Sequence, residues 1–170
     1  NKIITENSGN FECYIANDNS VGQIVVSGKL NSLDKLGNEL QKNKIKFVKL
    51  SVSAPFHCPL MKKATEEMRD KIQNTKFQDP IVSIISNVTA KPEIKSEEIK
   101  SLLIKQIEKP VRWRESINNM ITLGVEHFIE IGPGKVLSGL IKRIDRNVKL
   151  NQVNNLLDAK NLINDWFKKY

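Results

Sequence analysis

Two prolines four residues apart pin the middle of this chain. In Ser53-Ala54-Pro55-Phe56-His57-Cys58-Pro59-Leu60-Met61, Pro55 disfavours helical geometry for Ala54, so the chain is expected to enter His57 extended. Pro59 lacks an amide hydrogen and has a preset φ, which suits the first turn of a following helix. The junction therefore joins a strand-like run at 46–52 to an amphipathic helix, with one of the chain's two histidines between them. An imidazole held by backbone on both sides, with its ring free to face a cleft, suits a general base, because proton transfer needs fixed geometry and titration near neutrality. A lone histidine is more often a satisfied structural residue, so the surrounding pattern must decide.

That pattern alternates strands and helices. Runs at 11–16 and 23–27 read as strands around a turn at 17–22. Leu33, Leu36 and Leu40 share a helical face, and 45–52 is strand-like. Met61, Ala64, Met68 and Ile72 form a stripe at near-helical spacing. The short apolar run 81–85, entered through Pro80, fits a buried parallel strand. Ser96 can cap a helix with Glu97 and Glu98 in its first turn. That helix presents Ile99, Leu102, Leu103 and then Gln106, a polar group that closes an apolar stripe and must satisfy its amide or face a polar cavity. Trp113, Ile117, Met120 and Ile121 form the next face, stopped at Gly124. A strand at 125–131 precedes Gly132-Pro133-Gly134 and a helix buried through Val136, Leu137, Leu140, Ile141 and Ile144. A last helix starts near Asp158 and buries Leu162, Ile163 and Trp166. The alternation argues an α/β architecture.

Charge is less telling. The net +8, from 27 Lys and Arg against 19 Asp and Glu, invites a nucleic-acid reading, but the lysines are scattered and little aromatic surface is interleaved to stack bases. A basic surface equally steers anionic partners of other kinds. No apolar run approaches the roughly 18 residues that span a bilayer. Cys13 and Cys58 are isolated and match no metal or redox spacing, so no metal is expected. His127 lies on the apolar face of its strand and reads as a satisfied core histidine. Gly132-Pro133-Gly134-Lys135 lacks the spacing of a phosphate-binding loop and reads as a structural turn.

Five ordered motifs carry a resemblance. Ala54-Pro55-Phe56-His57-Cys58-Pro59-Leu60-Met61 is similar to the histidine motif of the malonyl-CoA:acyl carrier protein transacylase family. Ser86-Asn87-Val88-Thr89 resembles that family's S-N-V-T strand end. Gln106-Ile107-Glu108-Lys109-Pro110-Val111-Arg112-Trp113 resembles its Q-x-x-x-P-V-x-W segment, and Glu130-Ile131-Gly132-Pro133-Gly134-Lys135-Val136-Leu137 its E-I-G-P-G-K-V-L turn. Upstream, Asn17-Asp18-Asn19-Ser20-Val21-Gly22-Gln23 is similar to N-x-N-S-P-G-Q, with Val21 where proline is usual.

The resemblance implies an α/β fold in two parts: residues 1–52 as the remainder of an incomplete ferredoxin-like small subdomain, and 53–170 as the C-terminal part of an α/β-hydrolase-like acyltransferase core. It implies transfer of a malonyl group from coenzyme A to an acyl carrier protein thiol through an acyl-serine, in fatty-acid biosynthesis. His57 would be the catalytic base, and Gln106 would orient it through its backbone carbonyl. Phe56 would wall the acyl pocket, while Asn19 and Gln23 match positions near the pantetheine arm. No cofactor is implied beyond the substrate malonyl-CoA and the phosphopantetheine carried by the acyl carrier protein. Neither nucleic acid nor membrane is an expected partner, and the cytoplasm or an organelle is the expected location.

The family's G-x-S-x-G elbow occurs nowhere in these residues, nor does its N-terminal G-Q-G-S-Q loop. The chain is therefore expected to be the C-terminal half of the enzyme, inactive alone and dependent on an N-terminal half that carries the serine. Two other readings stand beside this one: a non-catalytic module that binds carrier protein or coenzyme A, and an acyltransferase segment of a polyketide or fatty-acid synthase.

Overall fold

The computed structural model describes residues 12–167. β1 (Cys13–Ser20) and β2 (Gln23–Gly28) form an antiparallel hairpin. The first strand runs on through the expected turn, which shrinks to Val21-Gly22 with Gly22 at φ +78°, a left-handed conformation that glycine adopts without steric cost. Phe11, expected to open the strand, lies outside the described residues. The register slips twice, leaving Ala16 and Asn19 as extra residues on β1. Such bulges bend a strand and re-aim its side chains. At Gly28 the two strands approach so closely that an added Cβ would stand 2.3 Å from the Glu12 carbonyl oxygen.

α1 (Leu30–Lys42) follows and buries Leu36 and Gly37. The expected strand at 45–52 forms no ladder. Instead the Phe47 ring lies against Gly37, 3.2 Å from where a Cβ would sit, and Lys49 pairs with Asp34 at 2.5 Å. The apolar alternation is there, but the segment pairs with no described strand, and Val48 and Val52 are exposed.

A single 3₁₀ turn (Pro59–Met61) leads into α2 (Lys62–Asn74), with Pro59 at the first position as expected. The run at 81–85 is corrected: only Ile84–Ile85 (β3) is strand, and it pairs antiparallel with Pro92–Glu93 (β4). Ile81 and Val82 are exposed rather than buried.

α3 (Ser96–Gln106) begins one residue earlier than the cap reading allowed. Ser96 is inside the helix, and the cap comes from a distance: the Ser96 amide donates to Asp79 Oδ1 at 2.8 Å, while Lys95 holds Oδ2 at 3.0 Å. These donors pull the Asp79 carboxyl down to a pKa of about 2, since hydrogen bonds to the charged form favour it. Leu102 and Ile104 carry the buried side of α3, whereas Leu103 is exposed.

α4 (Trp113–Thr122) is centred on the fully buried Ile117. β5 (His127–Ile131), α5 (Val136–Ile144) and β6 (Lys149–Val153) form a parallel β-α-β unit. Glu130 caps α5 by accepting the Leu137 and Ser138 amides at 3.0 and 2.7 Å. Leu140 and Ile141 are buried as expected, but Val136 and Leu137 are exposed. α6 (Leu156–Phe167) starts before Asp158, which accepts the Asn154 amide at 2.9 Å while Asn155 accepts that of Asp158 at 3.0 Å. Ile163 is exposed, contrary to expectation, and the Trp166 side chain lies outside the described part. No helix among the described residues is long and apolar enough to cross a membrane.

Candidate active site

The approach to His57 is a bend, not the extended entry that the prolines suggested. The Phe56 amide donates to the Ala54 carbonyl at 3.0 Å, and His57 sits at φ +58°. A non-glycine residue in the left-handed region costs about 1–2 kcal/mol and persists only where its surroundings fix it. Here they do. The Cys58 thiol donates to the Pro55 carbonyl at 3.0 Å from a fully buried position, and the Met61 amide closes on the Cys58 carbonyl at 3.0 Å. Burial pushes the Cys58 thiol above its ordinary value, the opposite of what a thiolate nucleophile needs. Cys58 is a pin for the bend.

The His57 ring is half-buried, and its Nδ1 lies 3.0 Å from the backbone carbonyl oxygen of Gln106. A carbonyl only accepts, so this bond requires the proton on Nδ1 and leaves Nε2 with its lone pair, the tautomer a base needs. The Gln106 side-chain amide nitrogen, itself a donor, lies 3.3 Å from the same Nδ1 without bonding it in this tautomer, and donates instead to the Lys109 carbonyl at 3.3 Å. Gln106 thus orients the histidine through its backbone carbonyl, while its side chain ties to the turn that follows the helix.

A second tie brings the hairpin to the same place. The Asp18 amide donates to the Val111 carbonyl at 2.9 Å, and the Val111 amide to the Ala16 carbonyl at 2.8 Å. Arg114 adds an ion pair to Asp18 at 2.6 Å. Val111 lies five residues beyond Gln106, so the segment that orients the ring also anchors β1. The outcome is a cleft of about 250 Å³ lined by His57, Phe56, Ala54, Asn19, Asn17 and Val52, among others. Asn19 reaches it from one of the two β1 bulges.

Of the five residues singled out from the sequence, His57, Phe56 and Asn19 line this cleft and Gln106 holds the ring. Gln23 is not in the cleft lining; its side-chain oxygen accepts from Arg143. His127 is satisfied but not core: it is half-exposed, with Nε2 at 2.7 Å from Asn151 Oδ1. No group of three or more potential metal ligands occurs among the described residues.

Sequence reasoning missed Arg112. Its guanidinium donates to the Val88 and Thr89 carbonyls at 3.3 and 3.2 Å and pairs with Glu115 at 2.6 Å, while its amide donates to the Asn87 carbonyl at 2.9 Å. It clamps the 86–90 loop, where Ala90 is buried at φ +57°, to the start of α4. The only sequence signal was its place inside the Gln106–Trp113 segment, at a position the family pattern leaves open.

Residues 6–159 match the family model described as the acyl transferase domain. A malonyl CoA-acyl carrier protein transacylase of Staphylococcus aureus (strain MSSA476) is 45% identical over 148 residues, covering 85% of this chain and 47% of that protein. The crystal structure of a malonyl CoA-acyl carrier protein transacylase from Clostridium perfringens superposes with a TM-score of 0.90 at 36% identity, over 99% of this chain and 53% of that one. A type II polyketide acyl-carrier protein in complex with its malonyl-transacylase contains a chain matched with a TM-score of 0.88 at 31% identity, over 96% of this chain and 53% of that one. The chain thus spans about half the length of the relatives it matches.

Proposed function

Because the chain belongs to the acyl transferase domain family, we propose that it supplies the histidine half of a malonyl-CoA:acyl carrier protein transacylase. The observation that carries this reading is the His57 ring, oriented through Nδ1 by the Gln106 carbonyl at 3.0 Å and lining a cleft with Phe56 and Asn19. Hydrolases orient the corresponding ring with a carboxylate; here a neutral carbonyl fixes the same tautomer.

In the proposed reaction, Nε2 of His57 takes the proton of a serine hydroxyl that these residues do not contain. The serine oxygen attacks the thioester carbonyl of malonyl-CoA, and the carbon–sulfur bond breaks. The coenzyme A sulfur leaves with the proton from the imidazolium, giving malonyl-serine and free thiol. The phosphopantetheine thiol of the carrier protein then follows the reverse path, and the serine regains its proton. The route is ping-pong, with no cofactor in either half. Phe56 occupies the space that a 2-methyl group on the acyl chain would need. Asn19 guides the pantetheine arm at the cleft. A role for Gln23 near that arm rests on the sequence resemblance alone. The proposal also divides the chain at residue 52, with the hairpin and α1 in a small ferredoxin-like part, a division supported by the β-β-α order of 13–42.

The test uses radiolabelled malonyl-CoA and a phosphopantetheinylated carrier protein. The 170-residue chain alone is expected to give background transfer, and addition of a transacylase N-terminal half bearing the serine elbow is expected to restore it. Turnover by the chain alone, without any such half, would overturn this reading.

A further inference from the structure

A second concavity, of about 410 Å³, lies between α2 and α3. One wall is a single face of α2: Thr65, Arg69 and Gln73, at i, i+4 and i+8. The other is the face of α3 that carries Ser101 and Lys105 and continues past the helix end to Glu108 and Lys109. Residues at these spacings project together from a helix, so Arg69 of the α2 row faces Lys105 and Lys109 of the α3 side across the cleft.

The charges are unequally matched. Lys100 is already committed: its ammonium is largely covered, bonded to the Gln73 carbonyl at 3.2 Å and to Glu97 at 3.5 Å, and it lies 5.4 Å from the centre of the Phe77 ring. Arg69, Lys105 and Lys109 are held by no ion pair among the described residues, and Glu108 is the one remaining carboxylate in the lining. Three uncommitted cations against one anion, with the Ser101 hydroxyl and Gln73 amide between them, are complementary to a multiply charged anion. A guanidinium flanked by ammonium groups suits phosphate oxygens. The volume falls in the range of about 300–1,000 Å³ typical of small-molecule sites. Among the lining residues none is an aromatic on which a base could stack, which disfavours a nucleic-acid strand.

The cleft also shares its frame with the candidate active site. α2 begins directly after the His57 bend, and α3 ends at Gln106, whose carbonyl holds His57. The Lys109 amide closes on the Lys105 carbonyl at 2.9 Å, and the Gln106 side chain donates to the Lys109 carbonyl. The two cations nearest the end of α3 are therefore the two ends of the turn that presents the Gln106 carbonyl.

We propose that this cleft binds a small phosphate-bearing anion, and that its occupancy is transmitted to His57 through the 105–109 turn. An anion drawing Lys105 and Lys109 together tightens that turn, and with it the carbonyl that fixes the ring.

The probe is inorganic pyrophosphate, titrated into the full 170-residue chain at low ionic strength, with calorimetry for binding and ¹⁵N NMR for the His57 ring. Saturable one-to-one binding is expected, with the His57 Nδ1 resonance moving at the same midpoint. R69Q/K105Q/K109Q is expected to weaken binding about tenfold or more, whereas K35Q/K42Q/K160Q, which removes equal charge from other helices, should leave it within about twofold. If the first variant does not fold by circular dichroism, K109Q alone is expected to weaken binding about threefold. Absence of binding, or equal weakening by the two triple variants, would overturn the site. Binding that leaves the His57 resonance in place would overturn the coupling. Neither readout requires turnover, so failure here is distinguishable from failure of the transacylase reading.

Discussion

Around His57 the chain is tied from both sides. The bend is pinned by Cys58, the ring by Gln106, and the facing hairpin by Val111 and Arg114. Around β5 and β6 the opposite holds: the sheet has two strands among the described residues, Ile131 is 80% exposed, and Val136 is 72% exposed. The difference reflects what each region needs. Orienting an imidazole takes two short segments and a handful of hydrogen bonds, all present here. Burying the faces and edges of a parallel sheet takes further strands and helices, and a two-stranded sheet alone is marginal in water. A chain spanning about half of its relatives can therefore hold a nearly finished orienting device beside an unfinished sheet.

The strongest way to break that contrast is to remove the ring. In a transacylase completed with a serine-bearing half, His57→Ala is expected to lower malonyl transfer by about two to four orders of magnitude, the usual range for a lost general base, while malonyl-CoA binding survives. Steady-state rates with a parallel binding titration check it. An unchanged rate would make the bend merely structural.

Phe56→Ser sharpens the claim that the cleft filters substrates. The ratio of kcat/KM for methylmalonyl-CoA over malonyl-CoA is expected to rise by up to about tenfold to two-hundredfold, the range that one methylene-sized contact allows. If both activities fall together and the ratio stays put, Phe56 supports His57 rather than selecting the acyl group.

Gly28→Ala tests the hairpin. The added Cβ would meet the Glu12 carbonyl at 2.3 Å, which the strands can relieve only by separating. A loss of about 2–3 kcal/mol is expected from such overpacking, measured by urea denaturation. Val48→Ala, on the exposed 45–52 segment, should change stability by less than about 0.5 kcal/mol.

The smallest expected effect lies at Asp79, whose carboxyl falls from an ordinary value of 3.8 to about 2 through the Ser96 and Lys95 hydrogen bonds. A carboxylate lowered on folding contributes stability that is fully present above its unfolded value and lost as pH falls through its folded one. The start of α3 is expected to lose protection in amide exchange between about pH 4 and pH 2. Asp79→Asn should flatten that dependence, and an unchanged profile in the variant would place the acid sensitivity elsewhere.

Much of the site was legible before any coordinates. The proline spacing and the apolar face ending in a glutamine singled out His57 and Gln106 as candidates, because both signals are local; their roles as base and orienting carbonyl came from the family resemblance. The left-handed backbone at His57 was not legible: proline restricts its neighbours, but nothing in the residue string states that Cys58 would turn inward to pin a bend. Asp79 was missed as a cap because it lies 17 residues from the amide it accepts. Helices formed at 62–74 and 113–122 where the periodicity put them, although Met68 of the first stripe is exposed and Thr65 is buried, whereas the strands at 45–52 and 81–85 did not form as expected. A strand exists only where a second backbone lies beside it, and apolar alternation is silent about whether that backbone is present. Gln106 acts through its carbonyl, so its side-chain identity explains only the secondary contact to Lys109.

The central claim is that this chain by itself presets a base. The most direct measurement is ¹⁵N NMR of the two imidazoles, assigned with His57→Ala and read at about pH 8, above the ordinary titration range of a free imidazole. The account predicts that His57 carries its proton on Nδ1, shared with the Gln106 carbonyl, with Nε2 bare. A proton on Nε2, or a ring exchanging freely between the two tautomers, would contradict it.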